Sequence, residues 1–173
     1  MTESLHEIKP LSEEAITIAA QHLGDILSLA IMHSTEKKAL VIFDTQCSLA
    51  VTLTAAYKRC LPTARFIDFY TTTPEEVISF FKTLEPSDLV ILIQSTSFRL
   101  NAFRLRVELF HQSLKVIEHP HLSRMPGREG NYYIEALAYD ASYFRGIGHA
   151  LKKKIDSASY GVIDTGGDRL VFD

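Results

Sequence analysis

Between Ala39 and Glu118 the chain has no glycine. That absence excludes the two commonest nucleotide sites of an α/β chain, because neither a G-x-G-x-x-G turn nor a G-x-x-x-x-G-K loop exists there to bring backbone amides against a pyrophosphate. It also removes the elbow of a serine hydrolase, since neither Ser95 nor Ser97 has a glycine beside it. Cysteine is scarce as well. Cys47 and Cys60 are the only two, with no C-x-x-C pair, and both lie in a segment of helical pattern. They read as buried free thiols in a reducing compartment. No secretory leader is expected, because Glu3, His6 and Glu7 stand where basic residues and then an apolar run would be needed. The most apolar helical stretch, 16–32, is interrupted by Gln21, His22 and Asp25, so no membrane partner is expected and the chain is placed in the cytoplasm.

What remains is a chain of 173 residues, 46% hydrophobic, enough for one α/β domain with a full core. Its net charge of −3 is unevenly spread: ten Lys/Arg stand against five Asp/Glu between Arg99 and Lys154, and eight against sixteen elsewhere. A basic stretch attracts anions. It lacks the interleaved aromatics of an RNA-binding sheet, so nucleic acid is not an expected partner.

The stretch 88–122, DLVILIQSTSFRLNAFRLRVELFHQSLKVIEHPHL, organises the rest. Leu89–Ile93 is an unbroken apolar run, the pattern of a strand covered on both faces. A helix is expected over 98–112, opened by the hydroxyls of 94–97, and a strand over 115–118. That order makes one βαβ unit, with a right-handed crossover and a parallel sheet. Upstream, Ser12 caps a first helix with Glu13 and Glu14 in its first turn; Ile16, Ala19, Leu23, Ile26 and Ala30 form its buried face, and His22 and His33 sit on its surface. Strands over 39–43 and 65–69 flank a helix over 47–60, which Pro62 stops. Thr73 and Pro74 open a further helix that turns Val77, Ile78, Phe80, Phe81 and Leu84 inward.

These elements sum to a Rossmann-like doubly wound α/β fold with a mostly parallel sheet. Helices over 132–139 and 141–155 follow as a carboxy-terminal helical segment, and a terminal hairpin forms around Gly166 and Gly167. The expected organisation is an α/β domain over 1–159 and a hairpin, 160–173, that begins a second domain.

Ligands of open parallel sheets sit at the carboxyl ends of the strands. Ser95, Thr96, Ser97 and Arg99 follow one strand there, and Arg124 follows the next. Arg99 falls in the first turn of the expected helix, where the dipole disfavours a cation by up to about 1 kcal/mol. It needs an anionic partner, either a bound carboxylate or phosphate held also by these hydroxyls or an ordinary acidic side chain. His119 and His121 flank Pro120, and such a pair can place two rings on one side of a strand, with His111 or Glu118 as further metal ligands. Two histidines do not make a metal site, and polar or surface roles are the better account of them.

The succession ALVIFD, SDLVILIQS, FRLNAFRLR and YDASYFRGIGHALKKKIDSA leading to TGGDRLVF resembles the amino-terminal domain of the aminopeptidase-T-like thermophilic metallopeptidases. In that family a G-x-D-L segment opens the catalytic domain, and Gly167, Asp168, Arg169 and Leu170 match it with Arg inserted. The resemblance implies a non-catalytic half of a metal-dependent aminopeptidase, with no catalytic residue and no cofactor in this chain. Its divalent metal ions would be held by a carboxy-terminal domain, which would also be its partner, and a homodimer is a further association. Two alternatives come from other classes: a stand-alone module that binds a small anion at Ser95, Thr96 and Arg99, and a small metallohydrolase that uses His119 and His121.

Overall fold

The computed structural model of the chain describes residues 7–100, 103–104 and 112–172, and at 99–100 and 103–104 the main chain alone. The chain divides into two compact units, Met1–Ala138 and Tyr139–Asp173.

The first unit is built on four strands, β1 (Ala39–Phe43), β2 (Arg65–Asp68), β3 (Leu89–Ile93) and β4 (Lys115–His119), in the order β2-β1-β3-β4. All neighbours are parallel: Val41 lies between Phe66 and Ile91, and Ile91 pairs in turn with Ile117. This is the α/β, Rossmann-like doubly wound arrangement, and its strand order reverses between β1 and β3. Alternate residues of those two central strands serve opposite faces. Val41, Leu89, Ile91 and Ile93 join a core with α1 (Glu13–Asp25), α2 (Ser48–Cys60) and Ile134 of α4 (Arg128–Glu135). Leu40, Ile42, Val90 and Leu92 join another with Val77 and Phe81 of α3 (Pro74–Phe81) and with Phe98. The unbroken apolar run of β3 follows from this position, since it is covered on both sides.

The helix starts are set by side chains. Ser12 Oγ accepts from the Ala15 N–H at 3.0 Å. At α3, Thr73 Oγ1 accepts from the Glu76 N–H while Glu76 Oε2 accepts from the Thr73 N–H at 3.0 Å, a reciprocal capping box with Pro74 in the first turn. The inward stripe of α3 is narrower than the sequence indicates. Val77 and Phe81 are buried, whereas Ile78 is 40% exposed and Phe80 lies under the Arg65 guanidinium, 3.7 Å from its ring centre.

Three further differences from expectation have physical causes. The buried stripe of α1 passes to Leu27, one turn after Leu23, while Ile26 is partly buried against the same core and Ala30 is half-buried where the helix ends in a π-helical turn, Ile26–Ala30. The segment expected as a helix over 98–112 begins as an antiparallel ladder, with Arg99 opposite Arg104 and Leu100 opposite Phe103. Phe98 is buried and stacked on Phe69 at 4.1 Å, and its N–H is taken by Gln94 Oε1, so tertiary anchoring overrides local helix preference there. The remainder of that helix, including His111, lies outside the described residues. Finally, α4 runs four residues ahead of the expected 132–139. Gly127 (φ 57) makes the turn that MPGREG requires, after which the helix starts at once. Gly130 lies close against Leu11, since a Cβ there would come 2.9 Å from Leu11 Cδ1 and that side chain would have to shift.

In the second unit, Asp140 caps α5 (Ala141–Asp156) by accepting from the Tyr143 N–H at 3.0 Å. Strands β5 (Gly161–Asp164) and β6 (Arg169–Phe172) form the expected antiparallel hairpin, with Gly166 (φ 83) in its turn. None of the residues of α5 is buried. Among the described residues no helix is long and apolar enough to cross a membrane.

The two-sided cover of β3 has a measurable consequence. Ile91→Ala is expected to cost about 2–5 kcal/mol of unfolding free energy in a urea titration, and Ile78→Ala on the outer side of α3 less than about 1 kcal/mol.

Candidate functional site

The site to examine is the carboxyl end of the sheet where the order reverses, between β1 and β3. Beyond β1 the chain continues to Asp44, whose N–H still donates to Ile93 O at 3.2 Å and whose side chain is fully buried. A buried carboxylate must find donors. Asp44 Oδ2 accepts from the Ser95 N–H at 2.8 Å, and Oδ1 accepts from the Ser95 hydroxyl and from the Gln46 N–H at 3.0 Å. Ser95 Oγ also lies 3.0 Å from Cys47 Sγ.

The loop after β4 is fastened to the same place. Ser123 donates to Ser95 O through both its hydroxyl, at 2.7 Å, and its N–H, at 3.1 Å. The Leu122 N–H donates to Gln94 O at 2.9 Å, and the Gln94 amide donates to Glu118 Oε1 at 2.9 Å. Next to this network a pocket of about 280 Å³ opens at the amino end of α2, lined by Cys47, Ser48, Leu122, Ser123, Met125 and others.

The residues singled out from the sequence fall differently within this geometry. Ser95 is at the switch point, with both its N–H and its hydroxyl engaged by Asp44. Thr96 and Ser97 are exposed beside it, and Ser97 Oγ lies 3.4 Å from His121 Nε2. Arg99 has extended main chain and stands in no helical first turn, so the dipole argument for an anionic partner does not apply to it. Arg124 is exposed at the end of a 3-10 turn, Leu122–Arg124.

His119 and His121 do not share a side. The strand ends at His119, and His121 adopts a left-handed conformation (φ 55), which breaks the two-residue alternation that would have aligned the rings. His119 is 3% exposed and sits between two tyrosines, with Nε2 2.8 Å from the Tyr57 hydroxyl and Nδ1 2.7 Å from that of Tyr133. A metal ion needs a ring nitrogen that both are already using, so this histidine does not fit a metal site. Among the described residues no three His, Cys, Asp or Glu side chains are grouped to hold one.

Burial sets the charge state of this trio. It pushes His119 down to about 4 and Tyr133 up to about 12, and it raises Tyr57 well above the ordinary phenol value. All three are neutral near pH 7. A neutral imidazole offers one N–H and one lone pair, so one phenol donates to it and the other accepts. Tyr57 is fully buried and Tyr133 only half-buried. The arrangement that satisfies every group has Tyr57 donating to Nε2 and Nδ1–H donating to Tyr133, whose own proton faces the wetter side.

The other two histidines of the first helical segment are not simple surface groups either. The His22 Nδ1–H donates to Ile134 O at 3.0 Å, which ties α1 to α4. His33 Nδ1 is buried with no hydrogen-bond partner among the described residues, and burial, then the nearby Lys115 charge, lowers the pKa of the ring. Sequence reasoning placed Gln94 and Ser123 only within the polar stretches 94–99 and 118–124 that follow two strands, and it passed over Asp44, Tyr57 and Tyr133. Only Asp44 carried a visible signal, an acid directly after the apolar run ALVIF.

If Asp44 depends on Ser95, Ser95→Ala should lower the unfolding free energy by about 1–3 kcal/mol, the range for leaving a buried acceptor short of a donor. Ser97→Ala, at an exposed neighbour, should change it by less than about 0.5 kcal/mol in the same denaturant titration. Comparison with known proteins yields no relative: no family model, curated protein or solved structure matches this chain.

Proposed function

We propose that this chain is the non-catalytic α/β domain of a metal-dependent aminopeptidase of the aminopeptidase-T-like kind, a framework that packs against a separate metal-binding domain. The observation that carries this reading is the mutual engagement of the polar groups at the carboxyl end of the sheet. A doubly wound domain receives a ligand on polar groups left open at its switch point. Here Asp44, Gln94, Ser95, Glu118, His119 and Ser123 are bonded to one another, to tyrosine hydroxyls or to main chain. Groups engaged in this way hold loops in place, and the metal-assisted attack of water on a peptide bond belongs to the partner domain.

The second unit supports the same reading. Phe144, Ile147, Leu151 and Ile155 of α5 share one face and are each about half exposed or more, as are Leu170 and Phe172 of the hairpin. A lone hairpin and one helix bury too little apolar surface to stand uncovered. A metal-binding domain seated on them would supply the missing layer. Cys47 and Cys60 are free thiols, in keeping with a cytoplasmic setting.

The purified chain is expected to release no amino acid from aminoacyl substrates with added cobalt, manganese or zinc. Its native form in the source cells is expected to be roughly twice the 19.5 kDa of this chain or larger. Turnover that survives repurification and disappears in Asp44→Asn would overturn the non-catalytic assignment. A native species of 19.5 kDa would remove the partner domain.

A further inference from the structure

Helix α4 is attached to the first unit by an unusual pair of polar contacts. Its consecutive residues Tyr133 and Ile134 are held by two histidines from different elements: the Tyr133 hydroxyl by His119 Nδ1 at the end of β4, and Ile134 O by His22 Nδ1 of α1. The second contact is indifferent to protonation, because Nδ1 donates to the carbonyl in either state. The first is not. His119 is enclosed by Tyr57 from α2, Tyr133 from α4 and the main chain of β3, where the Gln94 N–H donates to His119 O. Its strand neighbour Glu118 is turned to Gln94, and Cys60 of α2 is turned to Ala20 O. Among the described residues no carboxylate is hydrogen-bonded to the ring, so an imidazolium there would be an uncompensated buried charge.

We propose that the Tyr57–His119–Tyr133 chain is an acid-sensitive latch: proton uptake by His119 releases α4 from α2 and the end of β4 while the four-stranded sheet remains folded. Of the three rings only Tyr133 lies on the movable helix, and it is the half-buried one, so the exit path for the imidazole runs through α4. Release would uncover Ile134 and the α1 residues beside it, Ala15 and Ile18.

The direction with pH follows from the closed-state value. His119 binds a proton near pH 4 when closed and at about 6.5 once opened to water. The open form therefore gains as pH falls below about 6.5 and stops gaining below about 4, with roughly a twentyfold rise in opening between pH 7 and pH 5.

Hydrogen exchange of the full chain, read amide by amide and corrected for the intrinsic rate at each pH, tests this. The Ala136 and Leu137 amides, which donate to Tyr132 O and Ile134 O at the end of α4, are expected to exchange through an opening less costly than that of Ile91 in β3, and to lose roughly twentyfold protection from pH 7 to pH 5. In His119→Gln that loss should shrink below about twofold, which also separates it from the proton uptake of His33 on unfolding. Tyr133→Phe keeps the imidazole while removing its contact on α4, and should lower α4 protection at both pH values. Equal protection of α4 and Ile91 at every pH would overturn the latch, as would a pH effect that persists in His119→Gln. So would an imidazole that titrates with α4 still protected.

Discussion

The first unit depends on satisfying polar groups that its own sheet buries. Parallel strands covered on both faces end in loops that must turn within the shell of helices, and every N–H and carboxylate left there needs a partner. Asp44 is the centre of the solution. One side chain, with no water reaching it, accepts from the main chain and hydroxyl of Ser95 and from the Gln46 main chain, so the loops after β1 and β3 become one body. Ser123 then adds the loop after β4 through the carbonyl of the same serine. The polar residues look like a reaction centre when read along the chain, and they behave as a fastening when read in space.

The same constraint explains why the two ends of β4 differ in chemistry. At its amino end Lys115 reaches out to main-chain oxygens, where its charge stays in contact with solvent. At its carboxyl end His119 is sealed, so only an uncharged ring with two phenol partners is tolerated. A strand of five residues thus runs from a solvated cation to an enclosed neutral base.

Legibility from sequence followed the range of the interaction. The strands β1 and β3, the caps Ser12 and Thr73, and the terminal hairpin were readable because apolar runs, capping pairs and glycine turns are local signals. What was not readable depended on contacts between distant residues. No local pattern announces that residue 57 meets residue 119, or that Phe98 stacks on Phe69 and pulls the chain after it out of a helix. The π-helical turn in Ile26–Ala30 is an intermediate case, because its apolar composition suits a regular helix as well. The fold class was therefore legible, whereas the carboxyl-end network was legible only as single residues, Ser95, Glu118, His119 and the strand-ending Asp44, and not as the pairs they form.

The end of that π-helical turn has a consequence for how the chain assembles. The carbonyls of Ile31 and Met32 are satisfied by the ammonium of Lys115, which is 84 and 83 residues further along. During synthesis from the amino terminus, the first helical segment emerges long before the lysine that finishes it. Its last turn must wait, hydrated, until β4 docks beside β3, so closure of the segment nearest the start of the chain is a late event that reports the completion of the sheet.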